Sequence, residues 1–122
     1  MTLNELYTKA QQEAGILAAG EDASAEDVQF ISNKYAALYD MLLTEGLVAW
    51  TATEDIPLYA EVPMTYLLAS FIAPGFNVPS GKQQELMLMG GLNLPQPSIA
   101  ERMLRRQLSK NYVSSPATPD YF

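Results

Sequence analysis

One stretch limits the fold more than any other. Residues 62–73, Val-Pro-Met-Thr-Tyr-Leu-Leu-Ala-Ser-Phe-Ile-Ala, are apolar almost without interruption, and Pro74-Gly75 follow directly. Pro63 is tolerated in a first helical turn, where its missing N–H costs nothing, and the Pro-Gly pair closes the other end. A helix apolar on every side has to be enclosed by other elements. The sequence therefore predicts an all-α fold, a small helical bundle around this central apolar helix.

The flanking sequence supplies the enclosing helices. Leu3, Leu6, Tyr7, Ala10 and Ala14 recur at three- and four-residue steps, which predicts a helix over 2–14 that Gly15 ends. Ser24 then stands before Glu26 and Asp27, a hydroxyl able to accept from the third helical amide beside acids suited to the positive end of the dipole. From there Val28, Ile31, Tyr35, Leu38, Tyr39 and Leu42 carry a stripe to about Glu45, and Gly46 occupies the left-handed cap position. The period is lost over 47–61, where β-branched and aromatic residues around Trp50 suggest a connector with a short β-hairpin near 47–56. A short helix over 80–89 is broken by Gly-Gly-Leu-Asn-Leu-Pro-Gln-Pro, and a last helix over 97–110 takes Ile99, Met103, Leu104 and Leu108 as its apolar side. The Met-rich run 85–91 reads as core filling, with an adaptable binding surface as the alternative.

The residue inventory narrows the chemistry. There is no Cys, so disulfides and thiolate metal sites are excluded, and no His, the commonest general base and metal ligand. The paired acids Glu21-Asp22, Glu26-Asp27 and Glu54-Asp55 each fall in a turn or a helix start, where solvation and the helix dipole account for them. No Ser, Thr or Lys sits in a nucleophile motif, and Met-Gly-Gly-Leu-Asn lacks the Lys and hydroxyl that a phosphate loop needs. No catalytic, cofactor or metal residues are assigned, and the chain is expected not to be an enzyme. No run reaches the roughly 18 to 20 apolar residues of a membrane span, and the N-terminal stretch has neither the basic nor the apolar region of an export signal.

Charge is distributed unevenly. Of a net −7, residues 1–61 carry 11 acids against Lys9 and Lys34, whereas residues 62–122 carry Glu85, Glu101 and Asp120 against Lys82, Arg102, Arg105, Arg106 and Lys110. An acidic surface repels phosphates, which argues against avid nucleic-acid binding by the whole domain. Arg102, Arg105, Arg106 and Lys110 share a broad face of the last helix and form a candidate partner-binding surface, fitted to an acidic neighbour, a second copy or nucleic acid passing close by.

The chain finishes on Lys-Asn-Tyr-Val-Ser-Ser-Pro-Ala-Thr-Pro-Asp-Tyr-Phe, residues 110–122. Pro116 and Pro119 favour extended backbone, so a helical domain over 1–110 is expected to carry an extended arm over 111–122. The rings of Tyr112, Tyr121 and Phe122 would each bury about 150 to 250 Å² on docking, which makes them partner-binding candidates. Folding of the arm back onto its own domain is the alternative.

Two stretches together resemble a known family. Residues 10–50, two helices with an acidic, Ser-capped turn between them, and residues 55–78, Asp-Ile-Pro-Leu-Tyr-Ala-Glu through the apolar helix to its Ala-Pro-Gly-Phe turn, look like the head-to-tail connector, or adaptor, proteins of tailed bacteriophages. The match covers about half of the chain; the break at 90–98 stands where other members have one continuous helix. The resemblance implies a ring of copies beneath the portal in the virion neck, made in the bacterial host cytoplasm. It also implies that the C-terminal arm docks on the portal while the outer end receives the tail or the next neck protein. An acidic ring would let packaged DNA slide through its channel without specific binding. The competing expectation is a small nucleic-acid-associated packaging or regulatory protein using the basic last helix.

Overall fold

The computed structural model describes residues 1–92 and 94–113, with side chains as far as Leu108. Five α-helices follow one another: α1 Leu3–Glu13, α2 Ala25–Thr44, α3 Glu61–Ile72, α4 Ser80–Gly90 and α5 Ile99–Val113. Single 3₁₀ turns at Leu58–Ala60 and Ala73–Phe76 bracket α3, and the described residues contain no strand. The chain is all-α, as its periodicity predicts.

Local chemistry sets the helix ends. Thr2 accepts from the Glu5 amide at 3.1 Å while the Glu5 carboxylate accepts from the Thr2 amide at 2.8 Å, a reciprocal capping box at α1. Ser24 Oγ accepts from the Asp27 amide at 3.1 Å at the head of α2. At the other end of α2, Gly46 adopts φ +72°, a conformation that a side chain would oppose. Its N–H and that of Leu47 reach back to the Leu43 and Leu42 carbonyls at 3.0 and 2.9 Å.

Helix α3 touches α1, α2, α4 and α5. It buries Pro63, Met64, Thr65, Leu67, Leu68, Ala69 and Ile72. Leu6, Tyr7 and Ala10 of α1 join the same core, with Ile31, Tyr35, Leu38 and Leu42 of α2, Leu86 of α4, and Ala100 and Leu104 of α5. Each fully buried Leu or Ile contributes about 1.5 to 3 kcal/mol relative to exposure. Thr65, the buried polar group on α3, donates its hydroxyl proton to the Glu61 carbonyl at 2.7 Å. Helix α4 comes very close to α3: a Cβ at Gly90 would overlap the Tyr66 carbonyl and lie 2.6 Å from the Leu67 nitrogen, so only glycine fits there.

Three expectations need correction. The suggested hairpin at 47–56 does not form; its polar groups are satisfied otherwise. The Tyr39 hydroxyl donates to the Trp50 carbonyl, Trp50 Nε1 donates to the Tyr35 hydroxyl at 3.3 Å, and Ile56 exchanges two backbone bonds with Met1 at 2.8 and 3.0 Å. With Trp50 buried and its ring edge-on to Tyr59, the segment is pinned to α2 and to the N-terminus, which leaves no ladder for a second strand. The Met-rich run does not mainly fill the core either, since Leu86 is buried but Met87 and Leu88 are 43% and 70% exposed. Finally, α5 continues past the expected boundary at Lys110 to Val113, so Asn111, Tyr112 and Val113 are helical rather than part of an extended arm; residues 114–122 lie outside the described residues.

Candidate partner-contact surface

The register of α5 is fixed at its start. Buried Ser98 accepts from the Glu101 amide at 3.3 Å through its hydroxyl and from the Arg102 amide at 3.0 Å through its carbonyl, which caps the helix one residue after Pro97. Ala100 and Leu104 then point into the core, 0% and 1% exposed. At 100° per residue, Arg102 and Arg106 fall on the opposite side. Ile99, expected on the apolar side, is instead 40% exposed and shares their outer face. The small side chain of Ala100 takes the place in the core that Ile99 was expected to hold.

The three arginines therefore divide. Arg105 is satisfied within the chain: its Nη2 lies 3.3 Å from Glu45 Oε1 and 3.0 Å from Glu101 Oε2, and its Nε donates to the same Glu101 oxygen at 3.0 Å. This bridge ties α5 to the C-terminal end of α2. Both carboxylates and the guanidinium are partly solvated, so the contribution is small, about 0.2 to 1 kcal/mol for such a pair. Arg102 and Arg106 are exposed and have no carboxylate partner among the described residues. Lys110 and Tyr112 belong to the helix backbone, but their side chains, like all of Tyr121 and Phe122, lie outside the described residues.

The acids gather elsewhere. Several are held locally: the Glu21 carboxylate accepts from the Ala18 amide at 2.6 Å, and the Glu54 carboxylate accepts from the Thr51 amide at 2.7 Å. That backbone bond holds Glu54 below the usual carboxylate range, as the Thr2 bond does for Glu5. Glu61 pairs with the Met1 amine at 2.8 Å, and the bond raises the amine above its ordinary value. Among the described residues the carboxylates of Glu13, Asp22, Glu26, Asp27, Asp40 and Asp55 make no hydrogen bond or ion pair, although Asp55 helps to raise the Met1 amine. Asp55 borders a cleft of about 410 Å³ together with Thr2, Asn4, Val28 and Gln29, and it is the one acid among the residues that line it.

A second cleft, of about 470 Å³ between α1, α3 and α4, was not legible from the sequence. Lys9 and Lys82 line it with Glu13, Glu61 and Tyr66. It brings together no nucleophile with a base, and among the described residues no three acids converge as a metal-binding group. No described helix is long and apolar enough to cross a membrane. Inside the core, the Gln11 amide is fully buried with neither its nitrogen nor its oxygen hydrogen-bonded. No protein-family model matches this chain, and neither a curated protein nor a solved structure matches it.

What the arrangement offers is contact. One outer helix face presents two guanidinium groups that have no carboxylate partner among the described residues, beside an exposed Ile, and the first turn of α2 carries Glu26 and Asp27.

Proposed function

We propose that this chain is a structural head-to-tail adaptor of a tailed bacteriophage. In that role its copies form a ring beneath the portal in the virion neck, and its function is assembly rather than catalysis. The observation that carries the proposal is the order of elements. A Ser24-capped acidic turn between α1 and α2 precedes an apolar α3 that ends in the Ala73–Phe76 turn, the pattern on which the likeness to connector proteins rests. The exposed pair Arg102 and Arg106 adds a surface for partners on the last helix. The C-terminal residues after Val113, with Tyr121 and Phe122, are the segment proposed to dock on the portal, and the tail or the next neck protein joins the outer end.

The test is co-sedimentation with the portal ring of the same phage. The full chain is expected to bind, and a chain ending at Val113 is expected to stay folded and soluble but to be lost from the ring. Unfolding of the shortened chain, or undiminished binding by it, would contradict the docking role. The two exposed arginines give the nucleic-acid reading its support, but the electrostatics are thin. Two neutralised phosphates correspond to a salt slope of only about −1.8 on a chain of net charge −7. Tight duplex binding with a steep salt dependence would favour that reading instead.

A further inference from the structure

We infer that two adjoining clefts at Met41 dock an amphipathic helix of a partner protein, its apolar row on the groove floor and its Lys or Arg residues at the start of α5. The inference goes beyond the adaptor reading and does not rest on it, since neither the α5 arginines nor the C-terminal residues take part.

The groove starts where α2, α3 and α4 meet. A cleft of about 360 Å³ is lined there by Met41, Leu67, Phe71, Met87 and Leu92, and Gly90 and Gly91 add no side chain to its wall. Met41 and Leu92 also line a second cleft, of about 440 Å³, that reaches Leu94 and Pro97 just before α5. The two clefts are therefore one continuous surface. Met87 belongs to the Met-rich run and is 43% exposed, so its thioether is available to a ligand. An unbranched, polarizable side chain refits around whatever apolar group arrives.

Charge decides the occupant. Asp40, Glu45 and Glu101 line the second cleft. Arg105 is shared by Glu45 and Glu101, so three carboxylates against one guanidinium leave two negative charges, and Asp40 is unpaired among the described residues. At the other end Lys34 stands over the Phe71 ring, 5.8 Å from its centroid. The groove is thus apolar along its floor and acidic at one end. Such a rim repels phosphates and anionic lipid. A helix with apolar residues at three- and four-residue steps and cations at one end complements both parts. A second copy does not supply it through α5, whose Ala100 and Leu104 are already buried in their own core. Residues 114–122 do not supply it either, since they carry Asp120 and no Lys or Arg.

The probe is a fluorescein-labelled peptide of Leu and Lys alone, about 18 residues or five helical turns long, with Leu along one face. Fluorescence anisotropy is read on the full chain at low salt. The wild type is expected to bind this peptide at least about tenfold more tightly than one of the same composition in shuffled order, and not to bind a Leu–Glu counterpart. M87E puts a charge in the apolar wall and should weaken binding about tenfold. D40K reverses the unpaired acid and should weaken it about fivefold. E26Q/D27Q is the matched control: it changes the net charge by the same two units away from the groove, and its affinity should stay within about twofold of the wild type. A far-UV melt establishes folding of each variant, and if M87E does not fold, M87Q replaces it with a loss of about threefold expected. No binding by the wild type, equal affinity for ordered and shuffled peptides, undiminished binding by the Met87 variant or D40K, or an equal loss in E26Q/D27Q would each overturn the inference. Self-association of the wild type in sedimentation equilibrium that the Met87 variant abolishes would assign the groove to a second copy and would overturn it as well.

Discussion

Helices α3 and α4 have nearly the same length and pack against each other, but they hold the structure by different means. Seven of the twelve residues of α3 are buried. Of the eleven in α4, only Leu86 and Gly90 are, and Met87 and Leu88 face outward. Helix α3 is held by apolar area against α1, α2, α4 and α5, with Val62 left 52% exposed. Helix α4 is held by one Leu and by a backbone approach that only a residue without a Cβ allows. The comparison teaches that burial and closeness are separate quantities: a helix can lie hard against the core while most of its side chains remain available.

Substitutions in the two helices separate these contributions. The largest effect is expected in α3, where Leu68→Ala removes a fully buried side chain and should cost about 2 to 5 kcal/mol in chemical denaturation. The matching change in α4, Leu88→Ala, should stay within about 0.5 kcal/mol. Next comes Gly90→Ala, expected to cost about 1 to 3 kcal/mol because its Cβ meets the Tyr66 backbone rather than a side chain that can turn away. In the same helix Gly81 has open space around it, so Gly81→Ala should stabilise by about 0.5 to 1 kcal/mol. Opposite shifts of the two glycine variants would establish the backbone approach; equal shifts would refute it.

In α1, Gln11→Met keeps the shape of a buried side chain and removes two unpaired polar atoms, so the denaturation midpoint should rise, by about 1 to 3 kcal/mol in free energy. A fall would mean that the amide has a partner in solution.

The smallest effect is in the dependence on pH. Burial raises the Tyr35 hydroxyl above its ordinary value near 10, and the Glu61 hydrogen bond raises the Met1 amine above 8. Both values are higher in the folded state, so their stabilisation is complete below pH 8 and is lost as pH climbs through the folded values. Glu5 and Glu54 are lowered, so theirs is present above about pH 4.5 and is lost on acidification. Urea midpoints should therefore plateau between those limits; a midpoint still climbing above pH 10 would contradict the placement of Tyr35.

The helices were legible because their signals are local. Ser24, Gly46 and the three- and four-residue stripes act within one or two turns, and the structure places the five helix boundaries within a few residues of expectation. The misses depended on distant partners. The 47–56 segment has the composition of a strand, but its polar groups are claimed by Tyr35, Tyr39 and Met1, at sequence separations that no local pattern encodes. Ile99 faces outward while Ala100 is buried, because the side of α5 that meets the core is chosen by α3 and α4, against which the helix packs. The candidate surface was half legible: four cations on one helix face were visible, but the withdrawal of Arg105 to Glu45, 60 residues away, was not.

The central claim is that α3 carries the fold while Arg102 and Arg106 are kept for contact. It is tested most directly by measuring urea unfolding and co-sedimentation with the portal ring on one variant, R102A/R106A. The account predicts an unfolding midpoint within error of the wild type together with weakened co-sedimentation. A variant that unfolds at markedly lower urea, or that co-sediments as the wild type does, would contradict it.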